Sequence, residues 1–311
     1  VPAISVIIPA RDAAATIGRT LDALATQRDA PEFEVIVVDN GSLDDTADIA
    51  ERHSVVSQTL RRERGTGPGP ARNDGAAAAR APVLAFTDAD CAPCERWVAA
   101  GAEAIQASAL VQGRVDPDPA ATVGPWDRTL WVGEDQGLYQ TANLFVTMAA
   151  FKSAGGFPDG LEERDGAPFG EDVLLGWAVR RGGGAASFSS DALVHHAVFP
   201  RDFSGYVRER RRYALFPALA RAVPELRDTF FHRGWFMTRR TALFDAALAG
   251  VTLAVLLRRT WLAAAALPYV HRVGTDARQR GPRTAALEAG ADVSSAAALV
   301  RGSTRARTPV L

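Results

Sequence analysis

Cysteine is nearly missing from this chain, long apolar runs are missing altogether, and neither sign of charge prevails. Each shortage removes a class of protein. Two cysteines, Cys91 and Cys94, among 311 residues cannot build a disulfide scaffold and fit a reducing compartment. Their C-x-x-C spacing suits zinc or redox chemistry, but a zinc site needs further ligands and no second pair occurs, so both are read as incidental thiols. A formal net charge of -1 gives no basic surface for nucleic acid, and no such partner is expected. The apolar runs 241–257 and 261–270 both fall short of the roughly 20 residues that span a bilayer, and Asp245 interrupts the first. A transmembrane hairpin is therefore disfavoured. No internal repeat is found, and no basic segment followed by an apolar core opens the sequence, so no signal peptide is expected, although valine at position 1 also fits a trimmed start. These features lead to the expectation of a cytoplasmic location. What is present is 47% hydrophobic and 23% charged residues, a globular composition with enough length for one large domain and an appendage.

Against that background the string FTDAD, 86–90, carries the most information. It ends the apolar run 81–86 with two carboxylates one residue apart. A buried strand that stops in D-x-D places hard oxygen ligands at the carboxyl edge of a sheet, where open α/β folds bind their ligands. Such ligands suit magnesium or manganese holding a diphosphate. The plain alternative is a solvated turn with a helix cap. Two earlier runs repeat the pattern: ISVIIPA at 4–10, with a helical stretch over about 13–25, and FEVIVV at 33–38, which ends at Asp39. Continuous apolar strands separated by helices predict an α/β fold with a mainly parallel sheet covered on both faces. Asp12, Asp39 and Asp88 then share one crevice.

The ordered motifs ISVIIPA, VVDNGSLDDT, GPARNDGAAAARAPVLAFTDAD, GGF and GEDVLLGWAVRRGG resemble the family 2 inverting glycosyltransferases of the GT-A type. The resemblance covers 4 to about 215. It implies a metal-dependent enzyme that moves one sugar from a nucleotide-diphosphate donor to a hydroxyl acceptor, with Mn2+ or Mg2+ as cofactor and uridine as the base first expected. It further implies that Pro9, Ala10, Arg11, Asp12, Asp39, Asp88 and Ala89 surround the nucleotide sugar. Asp90 is implied in direct metal contact, and Asp88 faces the ribose or a metal-bound water. Arg11 replaces the family's frequent aromatic residue, although a guanidinium plane can also stack. Arg72, in a flexible loop 67–75, offers a planar fork to phosphate or a base carbonyl.

On the acceptor side the resemblance assigns Asp172 as general base, since an attacking alcohol must lose its proton. Glu171 holds the acceptor or orients Asp172. Inversion rests on the resemblance alone. Val194 and His196 match the family's valine, any residue, histidine pattern, which makes His196 a third metal ligand or a diphosphate contact. Because strand alternation turns His195 the other way, only one of the pair can enter the site. The basic helix 206–213 matches the family helix that closes over the diphosphate, with Arg212 as the residue involved.

Plainer readings stand beside these. Asp12 can cap a helix, and SLDDT at 42–46 reads as a capped helix start. The acids at 171 and 172 suit a helix N-terminus whose buried stripe is Val173, Leu174 and Trp177 with the small Ala178. The G-G-F turn is more structural than chemical. The expected division is a catalytic domain, 1–222, and a helical region, 223–311, with 278–283 as linker. The latter region either lies in a membrane interface, at the inner face if the acceptor is lipid-linked, or packs as a helical core or dimer contact. Two other functions fit the same sheet: a sugar-phosphate nucleotidyltransferase, although the Gly- and Lys-rich triphosphate loop it needs after the first strand is absent, and a non-catalytic binding module.

Overall fold

Residues 1–63, 65–162 and 168–311 are described in the computed structural model. They form two compact units, one of residues 1–123 and 129–199 and the other of 124–128 and 200–311. The division expected after 222 thus falls inside the second unit.

In the first unit the β-branched runs become strands and the alanine-rich or amphipathic segments become helices. In chain order these are β1 (Ile4–Ala10), α1 (Ile17–Ala25), β2 (Phe33–Asp39), α2 (Thr46–Arg52), β3 (Gln58–Arg61), α3 (Pro68–Ala78), β4 (Val83–Thr87), β5 (Cys91–Pro93), α4 (Trp97–Ala104), β6 (Leu110–Pro117), β7 (Asn143–Thr147), α5 (Met148–Ser153), β8 (Leu161–Glu162), β9 (Pro168–Phe169), α6 (Glu171–Arg181) and β10 (Ala186–His196). Eight strands make one mixed, mainly parallel sheet in the order β3-β2-β1-β4-β7-β6-β10-β5. Strands β3, β2, β1 and β4 run parallel, β10 runs parallel to β6, and β7 and the edge strand β5 run antiparallel to their neighbours. Ala10 pairs with Asp39 at the ends of β1 and β2. Asp88 follows β4 directly, so these residues gather at one carboxyl edge.

Alternation along the strands decides which helix covers which face. Val6, Ile8, Val35 and Val37 bury against Ile17, Leu21 and Leu24 of α1. Ile36 and Val38 turn to the other side with Ala71 of α3. Glycine at position 75 lets α3 approach, because a Cβ there would lie 2.5 Å from Ile7 Cγ2 and 3.1 Å from Val38 Cγ2. On the far half of the sheet the fully buried Trp97 donates from Nε1 to Asn143 Oδ1 at 2.8 Å. Asn143 Nδ2 in turn donates to Arg114 O and Ala192 O. One buried amide thus ties β7 to β6 and β10 without leaving a polar group unpaired.

Several local expectations shift. Helix α1 starts at Ile17 and not near 13. Helix α3 starts at Pro68, where proline suits the first turn, so Arg72 sits on a helix and not in a flexible loop. In α6 the buried face holds Val173, Leu175, Trp177 and Val179, whereas Leu174 and Ala178 are half-buried.

The second unit contains α7 (Phe203–Arg210), a 3-10 turn over Arg211–Leu215, α8 (Phe216–Ala222), α9 (Leu226–Thr229), α10 (Arg239–Leu256), a 3-10 turn over Thr260–Ala266, α11 (Leu267–Arg280) and α12 (Pro282–Ala306). The basic stretch expected as one helix over 206–213 therefore changes to 3-10 after Arg210. The expected linker at 278–283 is only a one-residue break at Gly281. Arg240 joins three helices through Asp276 at 2.6 Å and Asp292 at 2.8 Å, and it also meets Glu288 at 3.3 Å. All three carboxylates are buried. Among the described residues no helix is long and apolar enough to cross a membrane.

Candidate active site

Three groups of residues meet the carboxyl edge of the sheet. The first lies after β1 and β2. Pro9 and Ala10 end β1, and Asp39 is buried at the end of β2 with its Oδ1 accepting from Ser42 N at 3.3 Å. Asp12 takes the left-handed conformation, φ 49°. Its Oδ1 accepts from Leu43 N at 2.8 Å and its own N–H donates to Ser42 Oγ at 3.0 Å. These bonds bind the two loops together and replace the expected helix cap at Asp12. Asp44 makes the corresponding link from the other loop, accepting from Ala14 N in the loop before α1 and from Thr46 N at the start of α2. Arg11 is exposed and its guanidinium lies beside Gly65, where a Cβ would come within 2.5 Å of Nη1. Asn40, buried behind it, donates from Nδ2 to Gly67 O at 2.9 Å and holds that loop in place.

The second group centres on Arg72. This side chain is buried on α3, donates from Nη2 to Asp88 Oδ1 at 2.8 Å, and approaches Glu171 Oε1 to 3.5 Å. Its Nε is buried without a hydrogen-bond acceptor among the described residues, a donor that an incoming oxygen would satisfy. The carbon face of the guanidinium lies 5.7 Å from the Phe157 ring centre. Phe157 belongs to the G-G-F turn, which Asn73 clamps by accepting from Phe157 N at 2.9 Å and donating to Phe157 O at 2.8 Å. The turn thus supports Arg72, and Arg72 connects the strand-end Asp88 with the acids that open α6. Asp172 is half-buried and its Oδ1 accepts from Val173 N at 2.8 Å. Burial, reinforced by the neighbouring Glu171, pushes its carboxyl from the ordinary 3.8 up to about 7. A carboxyl poised there is matched to proton abstraction near neutral pH.

The third group is Asp90, Cys91 and His196, each offering one ligand atom within 4.8 Å of the other two. Antiparallel pairing of β5 with β10 sets Cys91 opposite His196, and His196 Nε2 stands 3.7 Å from Asp90 Oδ1. His196 Nδ1 is 2.6 Å from Ala197 O. With the proton assigned to Nδ1 for that bond, Nε2 presents its lone pair toward Asp90. Cys91 lies inside the cluster that the sequence reading gave it no part in, but burial, with the charges of Asp88 and Asp90, pushes its thiol well up. The group therefore offers oxygen and imidazole nitrogen rather than thiolate, a donor set that fits manganese and leaves room for diphosphate oxygens and water. Asp88, the other carboxylate that the D-x-D motif offers to a metal, is held by Arg72 outside the cluster. His195 points away, with Nδ1 3.8 Å from Cys94 Sγ.

Beside the cluster is a cavity of about 100 Å³ lined by Thr16, Arg19, Thr20, Asp90, Cys91 and Ala197. Ala89 is buried next to Asp90, with its carbonyl accepting from Thr20 Oγ1 at 3.0 Å. Arg19, which pairs with Asp118, is a cation that the motif reading missed, since only the packing of α1 against β5 brings it to the cavity that Asp90 also lines. Arg212 is exposed on the 3-10 turn of the second unit.

The model of the family described as Glycosyl transferase family 2 matches residues 5–163. The chain is 30% identical over 213 residues to the glycosyltransferase AglE of Haloferax volcanii, covering 64% of this chain and 68% of that protein. It is 37% identical over 127 residues to the validoxylamine A glucosyltransferase of Streptomyces hygroscopicus subsp. limoneus, a match that takes in 40% of this chain and 26% of that one. Among solved structures, the mannosyltransferase PcManGT from Pyrobaculum calidifontis, in complex with GDP-Man and Mn2+, superposes with a TM-score of 0.63 at 20% identity over 97% of this chain and 87% of its own. S. aureus TarS 1-349 with UDP-GlcNAc gives a TM-score of 0.54 at 20% identity over 98% and 92%. At that identity the two structures speak for the fold alone, which is of the GT-A kind. The chain belongs to glycosyl transferase family 2 and is a glycosyltransferase.

Proposed function

We propose that the protein transfers a single sugar from a nucleotide-diphosphate donor to a hydroxyl acceptor, with inversion and with a divalent cation held by Asp90 and His196. The observation that carries this reading is the Asp88–Arg72–Glu171 chain, which sets a nucleotide-facing carboxylate and the acids of α6 around one buried cation. A cation at Asp90 and His196 would supply neutralising charge for the departing diphosphate. Pro9, Ala10, Arg11, Asp12 and Asp39 line the nucleoside end, with the Arg11 plane as the stacking surface. Arg72 holds Asp88 in place, keeps positive charge near the diphosphate and leaves its Nε to donate to a donor oxygen. Asp172 removes the proton from the acceptor hydroxyl as attack proceeds, and Glu171 orients the acceptor. A single displacement needs that base on the face opposite the leaving group.

Uridine diphosphate sugars are the first donors to test, with guanosine diphosphate sugars beside them. Calorimetry should show a nucleoside diphosphate binding with manganese and at least tenfold more weakly without it. The variant Asp90→Asn should lose that metal dependence, and Asp172→Asn should bind donor almost normally without turnover. Metal-independent binding by the unaltered protein would remove the cation from the scheme, and near-normal turnover by Asp172→Asn would remove the base.

A further inference from the structure

The end of α10, the 3-10 turn 260–266 and the start of α11 form a helical hairpin whose large apolar side chains face outward. Val255 is 73% exposed, Leu256 71%, Trp261 70% and Leu267 65%, with Leu257 and Val270 close behind. The hairpin is firmly built nonetheless. A Cβ on Gly250 would lie 2.6 Å from Ala265 Cβ and 2.8 Å from Leu262 O, so the two arms meet almost backbone to backbone. Its turn is closed by Arg259 N donating to Ala254 O at 2.9 Å and Arg258 N to Val255 O at 3.3 Å. A contiguous apolar surface on a fixed support marks a contact site.

Charge identifies the contact. Arg258 and Arg259 stand at the apex between Leu257 and Trp261, and no acidic residue occurs between Asp245 and Asp276. A two-fold contact between copies through this apex would crowd four guanidinium groups with no carboxylate from the hairpin to pair them. An anionic lipid surface supplies the missing charge and also takes up leucine, valine and tryptophan at headgroup depth. No described helix can cross a bilayer, so the hairpin would lie in the interface and not span it. We propose that the apex formed by residues 251–270 docks the protein on an anionic bilayer. This does not rest on the transferase reading, since docking requires neither donor nor acceptor.

Cosedimentation of the full chain with phosphatidylcholine vesicles, with or without phosphatidylglycerol, tests it. The protein should partition onto the mixed vesicles and should be partly released by salt. The double variant Leu256→Glu with Trp261→Glu should lose at least tenfold in partitioning. Arg258→Gln with Arg259→Gln should lose about 25-fold on mixed vesicles, at roughly fivefold per arginine, and little on neutral ones. Because all four side chains are exposed, the variants should keep the circular dichroism, melting temperature and nucleotide affinity of the parent, which separates a failure of docking from a failure of the enzyme. Unaltered protein that stays in the supernatant, or glutamate variants that still sediment, would overturn the proposal. So would a dimer in size-exclusion chromatography that the glutamates dissociate without any change in vesicle binding.

Discussion

Replacing Asp172 by asparagine should abolish transfer while making the protein more stable, and the gain should appear only as the pH rises. Burial and the adjacent Glu171 hold the Asp172 carboxyl at about 7 in the folded protein against 3.8 ordinarily. Below 3.8 the group is protonated in both states and contributes fully to folding. Between the two values the unfolded chain ionises while the folded one keeps its proton, and by the time the pH passes 7 the contribution is lost. At about 1.4 kcal/mol per pH unit the ceiling on that loss is roughly 4 kcal/mol. Solvent reaches this half-buried side chain, which screens the effect to about 2 kcal/mol. Asparagine keeps an oxygen for Val173 N and never ionises. Thermal melts by circular dichroism should therefore show the variant about 4–8 °C more stable near pH 9 and unchanged near pH 4. In the parent enzyme kcat/KM should rise with pH through an apparent value about 7, set by the Asp172 carboxyl. A variant no more stable than the parent near pH 9, or equally stabilised at both pH values, would refute a raised Asp172 carboxyl.

Three further outcomes follow from packing and pairing. Arg72→Met removes the charge that lowers Asp172 and leaves Asp88 and Glu171 without their shared cation, so the acid limb of kcat/KM should move to higher pH, with about 3–5 kcal/mol lost in urea titration. Gly75→Ala gains roughly 1 kcal/mol of helix propensity, but its Cβ falls 2.5 Å from Ile7 Cγ2 on a buried strand. Overpacking of about 1–3 kcal/mol should win, and a lower denaturation midpoint would show it. Arg240→Met takes from Asp292 its cation among the described residues, while Asp276 and Glu288 keep Arg280, and should cost about 3–5 kcal/mol, read as early loss of helical signal on heating.

The sheet was legible because β1, β2 and β4 are continuous apolar runs, each closed by a polar residue, and strand periodicity survives whatever packs on it. Alternation along β10 said that only one of the adjacent histidines could turn toward the site, and the valine, any residue, histidine resemblance picked His196, which stands 3.7 Å from Asp90. Helix starts were less so. The stretch GPGPARNDG looks like a loop by composition, and only the closeness of α3 to Ile7 and Val38 shows why glycine and proline are used inside a helix there. The position of Cys91 beside His196 was hidden for a different reason: the two meet across β5 and β10, more than a hundred positions apart along the chain, and no local pattern encodes that pairing. Arg19 and Asn73 escaped notice likewise, because each acts through a contact made only when a helix packs.

Arg72 joins the strand-end side of the site to the acids of α6. A buried guanidinium is expensive to desolvate and persists when its partners are fixed and its remaining donors have a use. Here two carboxylates from distant segments, Asp88 after β4 and Glu171 at the head of α6, are brought to one cation, and the Phe157 ring supports its face. Among the described residues its Nε has no acceptor. A nucleoside diphosphate that supplies one should raise the melting temperature of the parent protein more than that of Arg72→Lys, which keeps the charge but not the planar fork. Equal shifts in the two proteins would mean that the guanidinium serves the fold alone.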